Sequence, residues 1–209
     1  MAEIKLILGD CLEVMRDMPD GCVDAVVTDP PYKTEFLYVW EPMAQEAARL
    51  LKNGGLLITL AGHYALDRIL PAMAKHLTYY WIGGMPNATG SVARNFSRQI
   101  MCSWKPALWF SKGKVPDHEF VFDLFATKRI ERVNHKWEQP AGWFEYYIEK
   151  LFAPDAVILD PFMGSGTTGI ACIRTGRNFI GIEIDETCFG RARDRIEAAQ
   201  QQMVMEGMK

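Results

Sequence analysis

Short apolar runs of strand length, alternating with helical stretches, constrain this chain more than any other feature. Seven such runs stand out: Ile4–Leu8, Val23–Thr28, Leu56–Leu60, Tyr79–Ile82, Ala107–Phe110, Ala156–Leu159 and Phe179–Ile182. Helices are predicted between most of them. They cover Cys11–Met18, Met43–Lys52 behind Pro42, and Tyr64–His76 with a kink or break at Pro71. Further helices are predicted at Gly142–Phe152, from the glycine-rich loop to Thr175 before Gly176, and from Glu186 to the Gln200–Gln202 region. This alternation predicts an α/β fold, a doubly wound, mostly parallel seven-stranded sheet. With 209 residues and no repeat, low-complexity segment or hinge, a single domain is expected.

The formal charge of −3 excludes a globally basic nucleic-acid binder, so any DNA-facing surface has to be local. One stretch has that character. Gly84–Glu138 holds nine basic residues against five acids, a local net of +4 in an otherwise acidic chain. It reads either as a phosphate-facing side or as a solvated loop with ordinary lysines. The five cysteines, Cys11, Cys22, Cys102, Cys172 and Cys188, are scattered and lack any Cys-x-x-Cys pair. They read as reduced thiols, with neither a disulfide frame nor a zinc site. No signal-peptide pattern opens the chain and no apolar run approaches about 18 residues. A soluble cytoplasmic protein without membrane contact is expected.

The run Val23–Thr28 ends abruptly in Asp29-Pro30-Pro31-Tyr32. Two prolines fix φ, remove two N–H donors and stop the strand, leaving a stiff tip at its carboxyl end. Open α/β sheets place their ligands at that edge. The tip suits chemistry on the exocyclic amine of a nucleobase. Such an amine is a poor nucleophile because its lone pair is delocalised into the ring. The Asp29 carboxylate and the Pro30 carbonyl can accept both of its hydrogens, and Tyr32 can stack on a base turned out of the duplex. The competing reading is a strand that ends in a proline-rich turn beside an interfacial tyrosine.

A second motif bears on the choice. Asp160-Pro161-Phe162-Met163-Gly164-Ser165-Gly166-Thr167-Thr168-Gly169 lies between a strand and a helix, and Gly164-x-Gly166-x-x-Gly169 lets a ligand approach the backbone closely. Glu183, 19 positions after Gly164, ends the next strand in Glu183-Ile184-Asp185, at the spacing of a carboxylate that accepts from both ribose hydroxyls. No Gly-Lys-Ser/Thr follows, which excludes a phosphate-cradling P-loop. A nucleoside cofactor in one half and an amine-bearing planar substrate in the other are implied.

In these two motifs, their order, and the basic stretch between them, the chain resembles the S-adenosylmethionine-dependent DNA amino-methyltransferases of the β class, along nearly its whole length. That class is a circular permutation of the usual methyltransferase sheet. The resemblance implies that Asp29, Pro30, Pro31 and Tyr32 form the catalytic tip. It implies that Phe162, Gly164, Gly166 and Thr167 surround the methionine part of the cofactor, that Asp160 lies near its ammonium and that Glu183 takes the ribose, with Pro161, Ser165, Thr168, Ile184 and Asp185 also at the cofactor. Asp10, next to Cys11, matches an acid beside the adenine, or else simply caps the helix that follows it, in a capping-box-like pattern with Glu13. His135, Gln139 and Pro140 are similar to a segment ending in Lys-Pro that contacts the cofactor carboxylate, with Gln139 in place of the lysine; His135 could equally be a turn residue.

The implied reaction is direct methyl transfer to adenine N6 in double-stranded DNA, because an aspartate heads the tip where cytosine-N4 enzymes more usually carry serine. Cytosine N4 is the alternative. A dinucleotide-dependent oxidoreductase would leave Asp29–Tyr32 unexplained, and a silent DNA-binding scaffold would not need them. Target recognition is expected in a small basic insert at about 84–138, with Arg94, Arg98, Lys105, Lys128, Arg129 and Arg132 as candidate phosphate or base contacts. The insert is short for such a role, so a short site, loose specificity or the help of a second subunit in a homodimer is expected.

Overall fold

A computed structural model describes residues 2–87, 92–126 and 141–207. The first part of the chain runs through β1 (Ile4–Leu8), α1 (Cys11–Asp17), β2 (Val23–Thr28), α2 (Trp40–Leu50), β3 (Leu51–Leu60), α3 (Leu66–Ala74) and β4 (Thr78–Pro86). A small antiparallel hairpin, β5 (Ala93–Asn95) with β6 (Ile100–Cys102), leads into β7 (Trp104–Ser111). The remainder comprises α4 (Ala141–Leu151), β8 (Val157–Asp160), α5 (Thr167–Thr175), β9 (Asn178–Glu183) and α6 (Glu186–Gly207).

Seven strands form one sheet in the order β1-β9-β8-β2-β3-β7-β4. All pairings are parallel except those of β7, which runs against both β3 and β4. This is the doubly wound, mostly parallel sheet expected. From β8 the chain winds one way through β9, and from β2 it winds the other way through β3. The switch point therefore lies between β8 and β2, where such sheets open a ligand crevice. Because β7 is reversed, its amino end, Trp104 and Lys105, reaches the edge where the neighbouring parallel strands end.

Side-chain alternation along β2 divides the core into two layers. Ala25 and Val27 belong to one buried cluster with Trp143 and Phe144 of α4, Ile170 of α5 and Ile196 of α6. Val26 belongs to the other, with Met15 of α1, Trp40 and Met43 of α2, and Met73 of α3. In α2 the buried Trp40, Met43, Ala44, Ala47 and Leu50 recur at helical spacing, which explains why that face turns inward. Among the described residues, no helix is long and apolar enough to cross a membrane.

Several expected boundaries move. Helix α2 stops at Leu50 and β3 starts at once, because Lys112 donates through its ammonium to the Arg49 and Leu51 carbonyls. The Gly54 amide then pairs with the Lys112 carbonyl at 2.6 Å, which carries the strand through the two glycines expected to end the helix. Pro71 neither breaks nor ends α3, which runs from Leu66 to Ala74 behind a 3₁₀ turn at His63–Ala65. β4 extends to Pro86 and β7 begins at Trp104, beyond the apolar runs that marked them. Gly83 and Gly84 interrupt the pattern for a packing reason. A Cβ at Gly83 would sit 2.6 Å from the Asp123 carbonyl oxygen, and one at Gly84 would sit 2.7 Å from the Trp104 ring. The segment 84–138 is thus not one insertion, since Ala107–Phe110 of β7 are core residues.

Candidate active site at the carboxyl edge of the sheet

β2 ends at Thr28 with no cis peptide bond, and the tip that follows is held from two sides. The Tyr64 hydroxyl, from the turn after β3, donates to the Tyr32 carbonyl. Gly62 leaves room for that contact, since a Cβ there would lie 3.0 Å from the Tyr64 ring and 3.4 Å from Tyr32 Cβ. From β7, Lys105 Nζ reaches to 3.3 Å from Tyr32 Oη and 3.7 Å from Asp29 Oδ2. Pro30 is buried, while Asp29, Pro31 and Tyr32 are half-buried.

On the other side of the switch point, Asp160 ends β8 fully buried. It accepts from Thr28 Oγ1 at 2.6 Å, Thr168 Oγ1 at 2.7 Å and the Phe162 amide at 3.1 Å. Burial nevertheless pushes its carboxyl up to about 6, the three hydrogen bonds opposing that rise. Both carboxylate oxygens are thus engaged within the protein. In the structure Asp160 joins the end of β2 to the glycine loop.

The loop is shaped by its glycines. Gly164 and Gly166 adopt φ of +50° and +80°, a region that a side chain disfavours. The third glycine, Gly169, sits where a Cβ would come within 2.7 Å of Ile196 and 2.8 Å of the Phe179 ring, so it allows α5 to lie against β9 and α6. Arg195 of α6 donates to the Ser165 carbonyl at 2.5 Å. Pro161, Thr167 and Thr168 are buried, and Phe162, Gly164 and Ser165 are half-buried. Glu183 accepts from the Gly164 amide through Oε2 at 2.9 Å, and from the Ile184 and Asp185 amides through Oε1 at 3.0 and 2.9 Å. Three backbone donors therefore fix the direction of this acid.

Other expected site residues are placed differently. Asp10 caps α1, its Oδ1 accepting from the Leu12 and Glu13 amides. Cys11 is buried, and its thiol is pushed up to about 12, chiefly by that burial. Asp185 caps α6 through the Cys188 amide at 2.7 Å, which holds its carboxyl below the ordinary value. Ile184 is exposed beside Glu183. Arg94 lies on β5 and Arg98 in the turn of the hairpin, both exposed. Lys105, grouped with them by sequence, stands apart in the Asp29 tip. His135, Gln139, Pro140, Lys128, Arg129 and Arg132 lie outside the described residues. Sequence reasoning missed Thr28, Gly62 and Tyr64; a Gly and a Tyr just beyond a predicted strand were the available signal for the last two.

An open α/β sheet with a glycine loop and a fixed acid on one side of its switch point, and a rigid Asp-Pro-Pro-Tyr tip on the other, is a methyltransferase fold. More particularly, the chain belongs to the DNA methylase family of N6 and N4 methyltransferases, whose model matches residues 23–193. YubD of Escherichia coli (strain K12) is 30% identical over 219 positions, spanning 95% of this chain and 92% of its own. The type II methyltransferase M.HinfI of Haemophilus influenzae is 25% identical, over 91% of this chain and 67% of its own. Among solved structures, the M1.HpyAVI–SAM complex superposes with a TM-score of 0.75 at 26% identity, covering 92% of this chain and 98% of that one. The cytosine-N4-specific PvuII DNA methyltransferase superposes at 0.79 with 18% identity, over 97% and 93%, a likeness of fold.

Proposed function

We propose that this chain methylates N6 of adenine in double-stranded DNA, with S-adenosylmethionine as the methyl donor. The observation that carries the reading is the Thr28–Asp160 hydrogen bond. It fixes the amine-accepting tip and the glycine loop to each other at the switch point, so a nucleoside cofactor on one and a base on the other would meet there.

The loop fits such a cofactor. A Cβ built at Gly164 meets nothing nearer than the Phe162 carbonyl oxygen at 3.9 Å, so space lies open against that backbone, with Glu183 at its rim. Phe162, Gly164, Gly166 and Thr167 would surround the methionine end and Glu183 would accept from the ribose hydroxyls. When bound, S-adenosylmethionine supplies a methyl group activated for nucleophilic attack. The residues of this chain prepare the amine. Asp29 and the Pro30 carbonyl accept its two hydrogens and draw the nitrogen towards a tetrahedral, more nucleophilic form. Tyr32 stacks the extruded base. Asp29 needs no raised basicity, since the proton leaves after transfer.

The hairpin carrying the exposed Arg94 and Arg98 supports a phosphate-facing recognition surface within this single domain. Its small size supports a short or loosely read site, or one completed by a second copy of the chain. The assignment to adenine rests on Asp29 at the head of the tip. Incubation with S-adenosylmethionine and DNA from a methylation-deficient host, followed by mass spectrometry of the nucleosides, tests it. N6-methyladenine is expected, with at least a hundredfold loss in Asp29→Ala, roughly the scale of losing one preorganised charge contact. N4-methylcytosine instead would overturn the choice of base.

A further inference from the structure

Lys105 is the basic residue that the fold removes from the recognition surface. Its side chain is 29% exposed and lies against an Asp29 side chain that is 24% exposed. Nζ stands 3.3 Å from Tyr32 Oη, 5.0 Å from the centre of the Tyr32 ring and 3.7 Å from Asp29 Oδ2. The contact with Asp29 is an ion pair longer than a hydrogen bond. An ammonium has three N–H donors and Tyr32 Oη takes one. The tip therefore presents an acceptor, the Asp29 carboxylate, next to a cationic donor that is bonded to the hydroxyl of the ring expected to stack the base. The strand that delivers Lys105 is β7, whose reversed direction brings its amino end to this edge.

A base whose amine stands beside an unprotonated ring nitrogen shows a donor and an acceptor side by side. Adenine does so with N6 and N1, cytosine with N4 and N3. Asp29 and Lys105 form the complementary pair. Thymine would set a carbonyl oxygen against the acceptors of the tip and be refused. Resting on the DNA-methylating reading above, we propose that Lys105 reads the target base by donating a hydrogen bond to the ring nitrogen next to the amine. The pair selects amine-bearing bases of this pattern and does not by itself separate adenine from cytosine.

The test uses a duplex that the wild-type protein methylates, synthesised with 1-deazaadenine at the target position (3-deazacytosine if the product is N4-methylcytosine). Methylation of the unmodified duplex reports on the functional reading, and the comparison of variants reports on Lys105. For the wild type, the analogue should lower kcat/KM about 10- to 100-fold, the range for a hydrogen bond to a charged group. Lys105→Met should lose a similar factor on normal DNA, yet treat normal and analogue duplexes alike to within about twofold. Lys105→Arg, which keeps a donor, should retain most of the sensitivity. The KM for S-adenosylmethionine and the thermal midpoint of each variant separate loss of fold from loss of contact. Equal losses on the analogue in wild type and Lys105→Met would overturn the proposal. So would a 7-deazaadenine effect, absent from Lys105→Met, that exceeds the 1-deazaadenine effect.

Discussion

At the scale of single residues, Asp160 shows how one buried carboxyl can tie two parts of a site together. Its carboxyl is raised from an ordinary value of 3.8 to about 6, mainly by burial. Since the folded value lies above the unfolded one, the stability it contributes is fully present below about pH 4 and is lost as pH rises through about 6. Two pKa units correspond to about 3 kcal/mol. Asp160→Asn keeps one acceptor and does not titrate. Urea unfolding of the two proteins should therefore show their difference moving by about 3 kcal/mol in favour of the variant between pH 4 and pH 7. A constant difference across that range would contradict this account. Lys105 illustrates the same scale from the other side, since its partner Tyr32 is 73 positions away and nothing in its own neighbourhood in sequence announces the contact.

At the scale of elements, the packing of α5 on β9 and α6 is set by the absence of a side chain at Gly169. Gly169→Ala should lower stability by about 1–3 kcal/mol through overpacking. In a chain of this size that lowers the thermal midpoint by roughly 2–4 °C per kcal/mol, which calorimetry can read. This glycine was legible in sequence because its pattern is local, bounded by a strand before and a helix after, and so was the Asp29–Tyr32 tip. Elements whose limits depend on distant partners were less so. The start of β3 is drawn by Lys112 and the length of β4 by the segment at Asp123 and Leu124. The hairpin β5–β6 escaped notice because its strands, Ala93–Asn95 and Ile100–Cys102, are too short to show a period.

At the scale of the whole molecule, the two halves of the sheet meet along β2 and β8, and a side-chain hydrogen bond between residues 132 positions apart closes that seam at the ligand edge. Fold class and motif order could be read from the sequence, but that closure could not. Because the cofactor would bind the folded chain alone, a hundredfold excess over Kd should stabilise it by about 2.7 kcal/mol. That is roughly a 5–11 °C rise in thermal midpoint on adding S-adenosylmethionine, and Glu183→Ala should abolish it. The same scale gives the paired ends of β4 and β7 a wider meaning. Pro86 and Trp104 face each other in register, so the chain leaves the sheet and re-enters it at one doorway. A loop closed at its base can grow or be exchanged at about 0.6 kcal/mol per doubling of its length. The 87–103 segment is accordingly a replaceable cartridge: descendants of this sequence can alter what that segment touches while the sheet, the tip and the glycine loop are inherited unchanged.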